Sequence, residues 1–299
     1  MNHAVIDLGS NTIHLLVFGF ENGEVTKELS EKDVTGLAGY IKDDVLGMDG
    51  ITKACEIVNR FSKLALETVE PSNLHLFATA SLRNIKNRKE AVDIITKETS
   101  LIPDILEGEE EGRLGFIGAK MSVECDDGIM IDIGGASTEL VVFKNGRIKK
   151  IASMPIGSLL LYMKHVNEDI PSSDERDIIE KTVDGQLSEI GWDDIKIKRM
   201  VGIGGTLRAV QKLMRVLFDV DEKEDIDAGL VKDLIKMLKD RDGDAYRNMC
   251  KTIPERAKTI FPGLIILKQT IKRFGCETVT VSRSGIRDGY LWSRVLKNE

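Results

Sequence analysis

The sequence predicts a duplicated α/β protein of two domains, and three observations lead there: its length, an internal echo, and the alternation of strand-like with helix-like segments. At 299 residues the chain exceeds the roughly 100–200 residues of a single domain and can bury two cores. Residues 6–18 (IDLGSNTIHLLVF) and 131–143 (IDIGGASTELVVF) align without a gap, sharing Ile, Asp, Gly, Leu, Val and Phe at matching places. The second copy begins at Ile131, an offset of 125 residues from Ile6. That spacing is far too long for a solenoid repeat, so the echo marks a duplicated domain.

Each copy continues to an Asn-Gly pair, Asn22-Gly23 and Asn145-Gly146. Asn-Gly is the strongest short hairpin signal because both residues tolerate positive φ. Each copy therefore reads as strand, Gly/Ser/Thr loop, strand, hairpin, strand. After the first copy, apolar residues recur at helical spacing over 51–68, residues 73–79 read as a strand, and 88–99 as a helix. A short strand at 104–106 leads to a helix beginning near Glu109 to Glu111, where carboxylates suit the positive helix end. After the second copy come helices at 157–166 and 174–190, a strand at 199–203, and a glycine turn (202–206) opening another helix. Helices near 229–239 and 254–273, a strand at 278–282 and a helix at 286–296 complete the chain. The boundary is expected near Ser122 to Asp127, giving domains 1–124 and 125–299.

Composition narrows the function classes. The chain is 42% apolar and 30% charged with only 6 prolines, which fits an ordinary globular protein without linkers. A net charge of −7 speaks against generic nucleic-acid binding, which needs clustered excess Lys and Arg, yet leaves room for a local basic cleft. Cys55, Cys125, Cys250 and Cys276 contain no C-x-x-C pair, so neither a disulfide framework nor a zinc knuckle is suggested. No signal-like stretch or bilayer-length apolar run occurs, and a cytoplasmic protein away from membranes is expected. His3, His14, His75 and His165 show no metal spacing, and His14 and His75 read as structural groups on strands.

Asp7 and Asp132 each end an apolar strand just before a glycine-bearing turn. A carboxylate at a strand's carboxyl end, beside amides able to bind anions, suits a magnesium-phosphate site. Gly9, Ser10, Asn11 and Thr12 in one loop, and Gly134, Gly135, Ala136, Ser137 and Thr138 in the other, supply amide and hydroxyl donors for phosphate oxygens. No P-loop motif occurs, and Leu207 stands where a dinucleotide fingerprint needs its last glycine.

Together these loops, A-T-A-S-L-R (78–83), E-G-E-E-E-G-R (107–113), G-I-G-G-T (202–206), R-x-x-x-I-F-P-G (256–263) and S-G-I-R-D-G (284–289) resemble, in order, the motifs of the exopolyphosphatase/guanosine pentaphosphate phosphatase (Ppx/GppA) family. The resemblance implies duplicated actin-like (ribonuclease H-like, ASKHA) domains with a cleft between them. It implies Glu111 as the base that activates water, with Glu109 and Glu110 as competing candidates in the same run. It further implies Arg83 as a cleft arginine, Gly204, Gly205, Thr206 and Arg287 at the phosphates, and Glu139 beside Asp7 and Asp132 at the metal. The cofactor implied is Mg²⁺, or Mn²⁺ in its place, and the assembly a homodimer. Asp288 stands where relatives carry Glu, and Ala136 replaces a third glycine, which requires a negative φ there. The chain also ends after the actin-like core, without the C-terminal helical region that lengthens the polyphosphate channel in many relatives. The activity implied is release of terminal phosphate from inorganic polyphosphate or guanosine pentaphosphate. A small-molecule kinase of the same superfold and a non-catalytic guanosine tetraphosphate-binding regulator are the alternatives.

Overall fold

The computed structural model describes residues 2–21, 24–240 and 243–296. The chain forms two compact units, Met1–Gly108 and Glu109–Glu299.

In the first unit, β1 (Asn2–Leu8), β2 (Ile13–Glu21) and β3 (Glu24–Asp33) make an antiparallel meander. The Asn22-Gly23 turn lies outside the described residues. A two-stranded ribbon, β4 (Ile41–Lys42) with β5 (Val45–Leu46), precedes α1 (Met48–Ala65). Then follow β6 (Leu74–Ala78), α2 (Ala80–Arg83), α3 (Arg88–Thr99) and β7 (Asp104–Ile105). β6 pairs parallel with β1, and β7 parallel with β6, giving the order β3-β2-β1-β6-β7. Strand alternation sends Ala4, Ile6 and Leu8 to one face, where they pack with Ile51, Val58 and Phe61 of α1 and Ala91 and Ile95 of α3. His3 and His75 stack at 6.1 Å on neighbouring strands, in line with the structural role expected of His75.

The second unit repeats the plan. It opens with α4 (Gly108–Ala119), then β8 (Gly128–Ile133), β9 (Thr138–Lys144) and β10 (Arg147–Met154) as an antiparallel meander. Asn145 and Gly146 have φ of 51° and 65°, the paired left-handed values that an Asn-Gly hairpin turn requires. Next come α5 (Ser158–His165), α6 (Ser173–Glu189), β11 (Arg199–Ile203), α7 (Gly204–Phe218), β12 (Ile226–Asp227), α8 (Ala228–Leu238), α9 (Asp244–Thr252), α10 (Ile260–Phe274), β13 (Thr278–Val281) and α11 (Ile286–Tyr290). The order is β10-β9-β8-β11-β13-β12, with β8, β11 and β13 mutually parallel and β12 an added antiparallel edge. Its first five strands match the first sheet place for place. Each unit thus carries the same α/β topology, as the echo in the sequence predicts.

Three sequence expectations are revised in detail. The sequence placed 109–124 with the first domain, whereas α4 belongs to the second unit. Glycines explain why: Gly112, Gly115 and Gly118 let the helix lie on the second sheet and on α11. A Cβ at Gly115 would come within 2.8 Å of Ile203, and one at Gly118 would collide with the carbonyl of Gly285. The reciprocal contact is equally close, since a Cβ at Gly289 would strike the carbonyl of Leu114. The expected continuous helix over 254–273 is broken: Pro254–Arg256 forms one 3-10 turn and α10 starts at Ile260. Likewise the last helix passes into a π-helical turn, Leu291–Val295.

Strand alternation also sorts the second unit. Ile129, Ile131, Ile133 and Leu140 face one core with Leu207, Val210 and Leu213 of α7. Met130, Val141, Phe143 and Ile203 face the other side, packed with Phe116 and Ala119 of α4. By the two-residue period, Asp132 and Glu139 lie on this second face, the one that α4 covers.

Candidate functional site

The two loops of the echo are built alike. In the first unit the carbonyls of Ser10 and Asn11 accept from the amides of Ala38 (3.0 Å) and Gly36 (2.9 Å). In the second, the carbonyl of Gly134 accepts from Ser158 N (2.9 Å) and that of Gly135 from Leu159 N (3.0 Å) and Leu160 N (2.8 Å), all at the start of α5. With carbonyls held inward, the amides of Ser10, Asn11 and Thr12, and of Gly135, Ala136 and Ser137, donate to no backbone acceptor among the described residues. Donors left at a tight turn are what an anion needs. Ala136 is not among the residues of positive φ, so its methyl does not strain the loop.

In the second unit the antiparallel register sets Asp132 opposite Glu139, and Ser153 opposite Glu139 on the next strand. Glu139 is 1% exposed, and Ser153 Oγ donates to its Oε1 at 2.8 Å. Two carboxylates directly opposite on one sheet face repel each other unless a cation lies between them. Gly112, the residue after Glu111, rests on this row: a Cβ there would be 3.6 Å from Glu139 and 3.3 Å from Val141. Glu111 precedes Gly112 on α4, the helix that lies on the face carrying Asp132 and Glu139. The other two glutamates of the run are placed differently. Glu109 is exposed, while Glu110 is bound by Arg113 Nε (3.4 Å) and Arg294 Nη2 (3.2 Å).

Above Asp132 stands a cluster of guanidinium groups. Gly204 begins α7 with φ of 81°, and a Cβ on it would collide with Asp132 Oδ1, so only glycine lets the helix start so close to the carboxylate. At Gly205 the missing side chain leaves room for the Arg256 guanidinium. One turn along α7, Arg208 is half-buried. Its pKa falls to about 10, first through desolvation and then through the charge of Arg287, with Arg256 adding to the depression and Asp132 and Asp288 opposing it. Desolvation likewise lowers Arg256, with Glu255 and Asp132 opposing. Asp288 fixes the approach of Arg287 by accepting from Gly285 N at 2.9 Å. Three arginines held near one another with part of their solvation removed form a site that an anion would relieve.

Arg208 and Arg256 were absent from the candidates read in the sequence. Arg256 heads the R-x-x-x-I-F-P-G motif, and Arg208 follows G-I-G-G-T after a single residue, so the signal was present. What hid them was helix geometry. The break at Pro254–Arg256, which brings Arg256 onto Gly205, leaves no period in the sequence.

Two expected phosphate ligands have other tasks. Thr138 is fully buried and its hydroxyl donates to Ile156 O at 2.7 Å. Thr206 is 2% exposed and donates to Ile133 O at 2.7 Å. A buried hydroxyl must pair locally, and here each ties a loop end to its sheet rather than offering its O–H to a ligand. In the first unit, Arg83 Nη1 donates to Leu106 O at 2.9 Å, and Ser81 Oγ to Leu8 O at 2.5 Å, so the A-T-A-S-L-R segment braces the strand end beneath the first loop. Asp7 faces His14 where the second unit pairs Asp132 with Glu139.

No group of three or more His, Cys, Asp or Glu side chains among the described residues is set to hold a metal. Mg²⁺ does not demand one: it is commonly held through one or two carboxylates, with water and phosphate oxygens completing the octahedron. Asp132 and Glu139, opposite on one face, fit that pattern. Among the described residues no helix is long and apolar enough to cross a membrane.

Residues 22–298 match the family described as the Ppx/GppA phosphatase family. A solved Ppx/GppA family member from Aquifex aeolicus is 26% identical, with 100% of this chain and 99% of that one covered at a TM-score of 0.79. An exopolyphosphatase from Cytophaga hutchinsonii shares the fold at a TM-score of 0.85, with 22% identity over 98% of this chain and 97% of that one. This chain belongs to the Ppx/GppA phosphatase family.

Proposed function

We propose that this protein hydrolyses the terminal phosphoanhydride of a linear phosphate chain, inorganic polyphosphate or guanosine pentaphosphate, with Glu111 as the general base. The observation that supports it most is the Asp132–Glu139 pair with the Arg208–Arg256–Arg287 cluster beside Asp132, on the unit whose helix α4 carries Glu111. These are the parts a phosphoryl transfer needs, namely a base for the nucleophile and positive charge for the phosphoryl oxygens. Asp132 and Glu139 would hold Mg²⁺, with Asp7 the corresponding carboxylate of the first unit, and the ion would offset charge on the phosphates. The arginines bind the oxygens of the terminal phosphoryl group, and the loop amides hold the chain behind it. Glu111 orients a water and takes its proton. The water oxygen bonds to the terminal phosphorus while the bridging P–O bond breaks, and its electron pair leaves with the shortened chain.

The test is orthophosphate release from both substrates, without any acceptor, by wild type and Glu111→Gln. A loss of about 10²-fold or more in kcat with substrate binding retained is expected. Undiminished turnover in the variant would remove Glu111 from the mechanism, and transfer of the phosphoryl group to a small acceptor in place of orthophosphate release would favour a kinase.

A further inference from the structure

The row that carries the carboxylate pair runs one strand further than the pair itself. Register sets Asp132 of β8 opposite Glu139 of β9, and Glu139 opposite Ser153 of β10. Directly opposed residues share a face of the sheet, so the three side chains form one line across it. At the end of that line Ser153, half-buried, donates its hydroxyl to Glu139 Oε1 at 2.8 Å.

Duplication supplies an internal comparison. In the first unit the corresponding row is Asp7 of β1, His14 of β2 and Lys32 of β3. That row ends in an ammonium group, whereas the second ends in an uncharged hydroxyl. The difference matters for Glu139, which is 1% exposed, because a carboxylate so deeply buried needs an opposite charge. A lysine at the end of its row would supply one permanently and compete with a metal ion. A serine hydroxyl orients the carboxylate, occupies one of its roughly four acceptor sites, and leaves its negative charge for a cation.

The backbone that presents Ser153 is fixed on every side. The next residue, Met154, is 1% exposed and packs into the core on the opposite face of the sheet. Beyond it the carbonyl of Ile156 accepts from Thr138 Oγ1 at 2.7 Å, which ties the end of β10 to the residue before Glu139. On the other side Ile151 lies against α4, where a Cβ on Gly112 would be 3.0 Å from its Cγ2. The hydroxyl therefore reaches Glu139 from a strand that core, loop and helix all hold in place. A flexible glutamate held in this way has less rotamer freedom to lose when it takes a ligand.

We propose that Ser153 is the positioning residue of the metal pair: its hydroxyl holds the Glu139 carboxylate in line with Asp132 without neutralising it. The proposal rests on the reading of Asp132 and Glu139 as the carboxylates that would hold Mg²⁺, and goes beyond it in giving Ser153 a task.

Mn²⁺, whose electron-spin signal reports the free ion, is titrated without substrate into wild type, Ser153→Ala, Ser153→Thr, Glu139→Gln and the double variant of Ser153→Ala with Glu139→Gln. Groups that orient a metal's ligands contribute about 10- to 100-fold to affinity, so Ser153→Ala is expected to raise the Mn²⁺ Kd about tenfold or more, and Ser153→Thr, which keeps the hydroxyl, to restore it to within about threefold. With Glu139→Gln already present, the same serine change is expected to cost nothing further, because its effect passes through Glu139. Unchanged affinity in Ser153→Ala beside a clear loss in Glu139→Gln overturns the role of Ser153 and leaves the metal pair standing. An equal loss from Ser153→Ala with and without Glu139→Gln also overturns it, since the serine then acts elsewhere. Wild type that binds no Mn²⁺ removes the metal pair and this role with it, and orthophosphate release from tripolyphosphate, followed in parallel, shows whether the hydrolase reading survives.

Discussion

Arg208 offers a perturbation whose size can be worked from the structure. Its pKa drops from the ordinary arginine value to about 10, and at 1.36 kcal/mol for each pH unit this is about 3 kcal/mol. For a cationic group, a folded pKa below the unfolded value means that the native state disfavours the charged form. The penalty is present in full below about pH 10 and is relieved as pH rises from there toward the ordinary arginine value. Near neutrality, Arg208→Met removes the charge while keeping most of the stem, so the variant should be more stable. Allowing for lost packing and hydrogen bonds, a gain of about 1–2 kcal/mol is expected, or a rise of about 2–8 °C in Tm for a protein of this size. Affinity should move the other way, because a charge-assisted bond to phosphate contributes about 1.5–3 kcal/mol, or roughly 10- to 100-fold in Kd. Differential scanning fluorimetry with and without tripolyphosphate, together with calorimetric titration of that anion, reads both quantities. A variant that melts below wild type, or binds tripolyphosphate as tightly, would refute the picture of a cluster held under electrostatic strain for an anion.

Two further predictions address α4. Gly118→Ala places a methyl against the carbonyl of Gly285, where backbone cannot swing aside; a loss of about 3 kcal/mol or more is expected in chemical denaturation, and a change under 1 kcal/mol would contradict the close crossing of α4 and α11. Glu110→Gln weakens half-exposed ion pairs to Arg113 and Arg294; stability should fall by no more than about 1 kcal/mol and kcat by only a few-fold, so a loss matching that of Glu111→Gln would shift the base to the wrong glutamate.

Much of the architecture was legible because duplication leaves a mark in the sequence. The two Asp-x-Gly strands, their four-residue loops and the Asn145-Gly146 turn follow from local rules of strand ends and positive φ. Amphipathic helices such as α1 and α3 were read within a few residues for the same reason. The placement of α4 was not legible, because its glycines express a long-range fit to β11 and α11 rather than a local propensity. The hydroxyls of Thr138 and Thr206 looked like ligand donors for an equivalent reason: sequence reveals the type of group, whereas its hydrogen-bond partner, Ile156 O or Ile133 O, is set by tertiary packing. Arg208 carries no more sequence signal than any helical arginine. Its significance comes from Arg256 and Arg287, far along the chain, converging on it around Asp132.

Single turnover in water enriched with heavy oxygen, with the products weighed, tests the proposed chemistry most directly. Direct attack of water on the terminal phosphorus predicts one solvent oxygen in every orthophosphate released and none in the shortened chain, with Glu111→Gln slowing that incorporation. Label in the shortened chain, or orthophosphate formed without solvent oxygen, would contradict it.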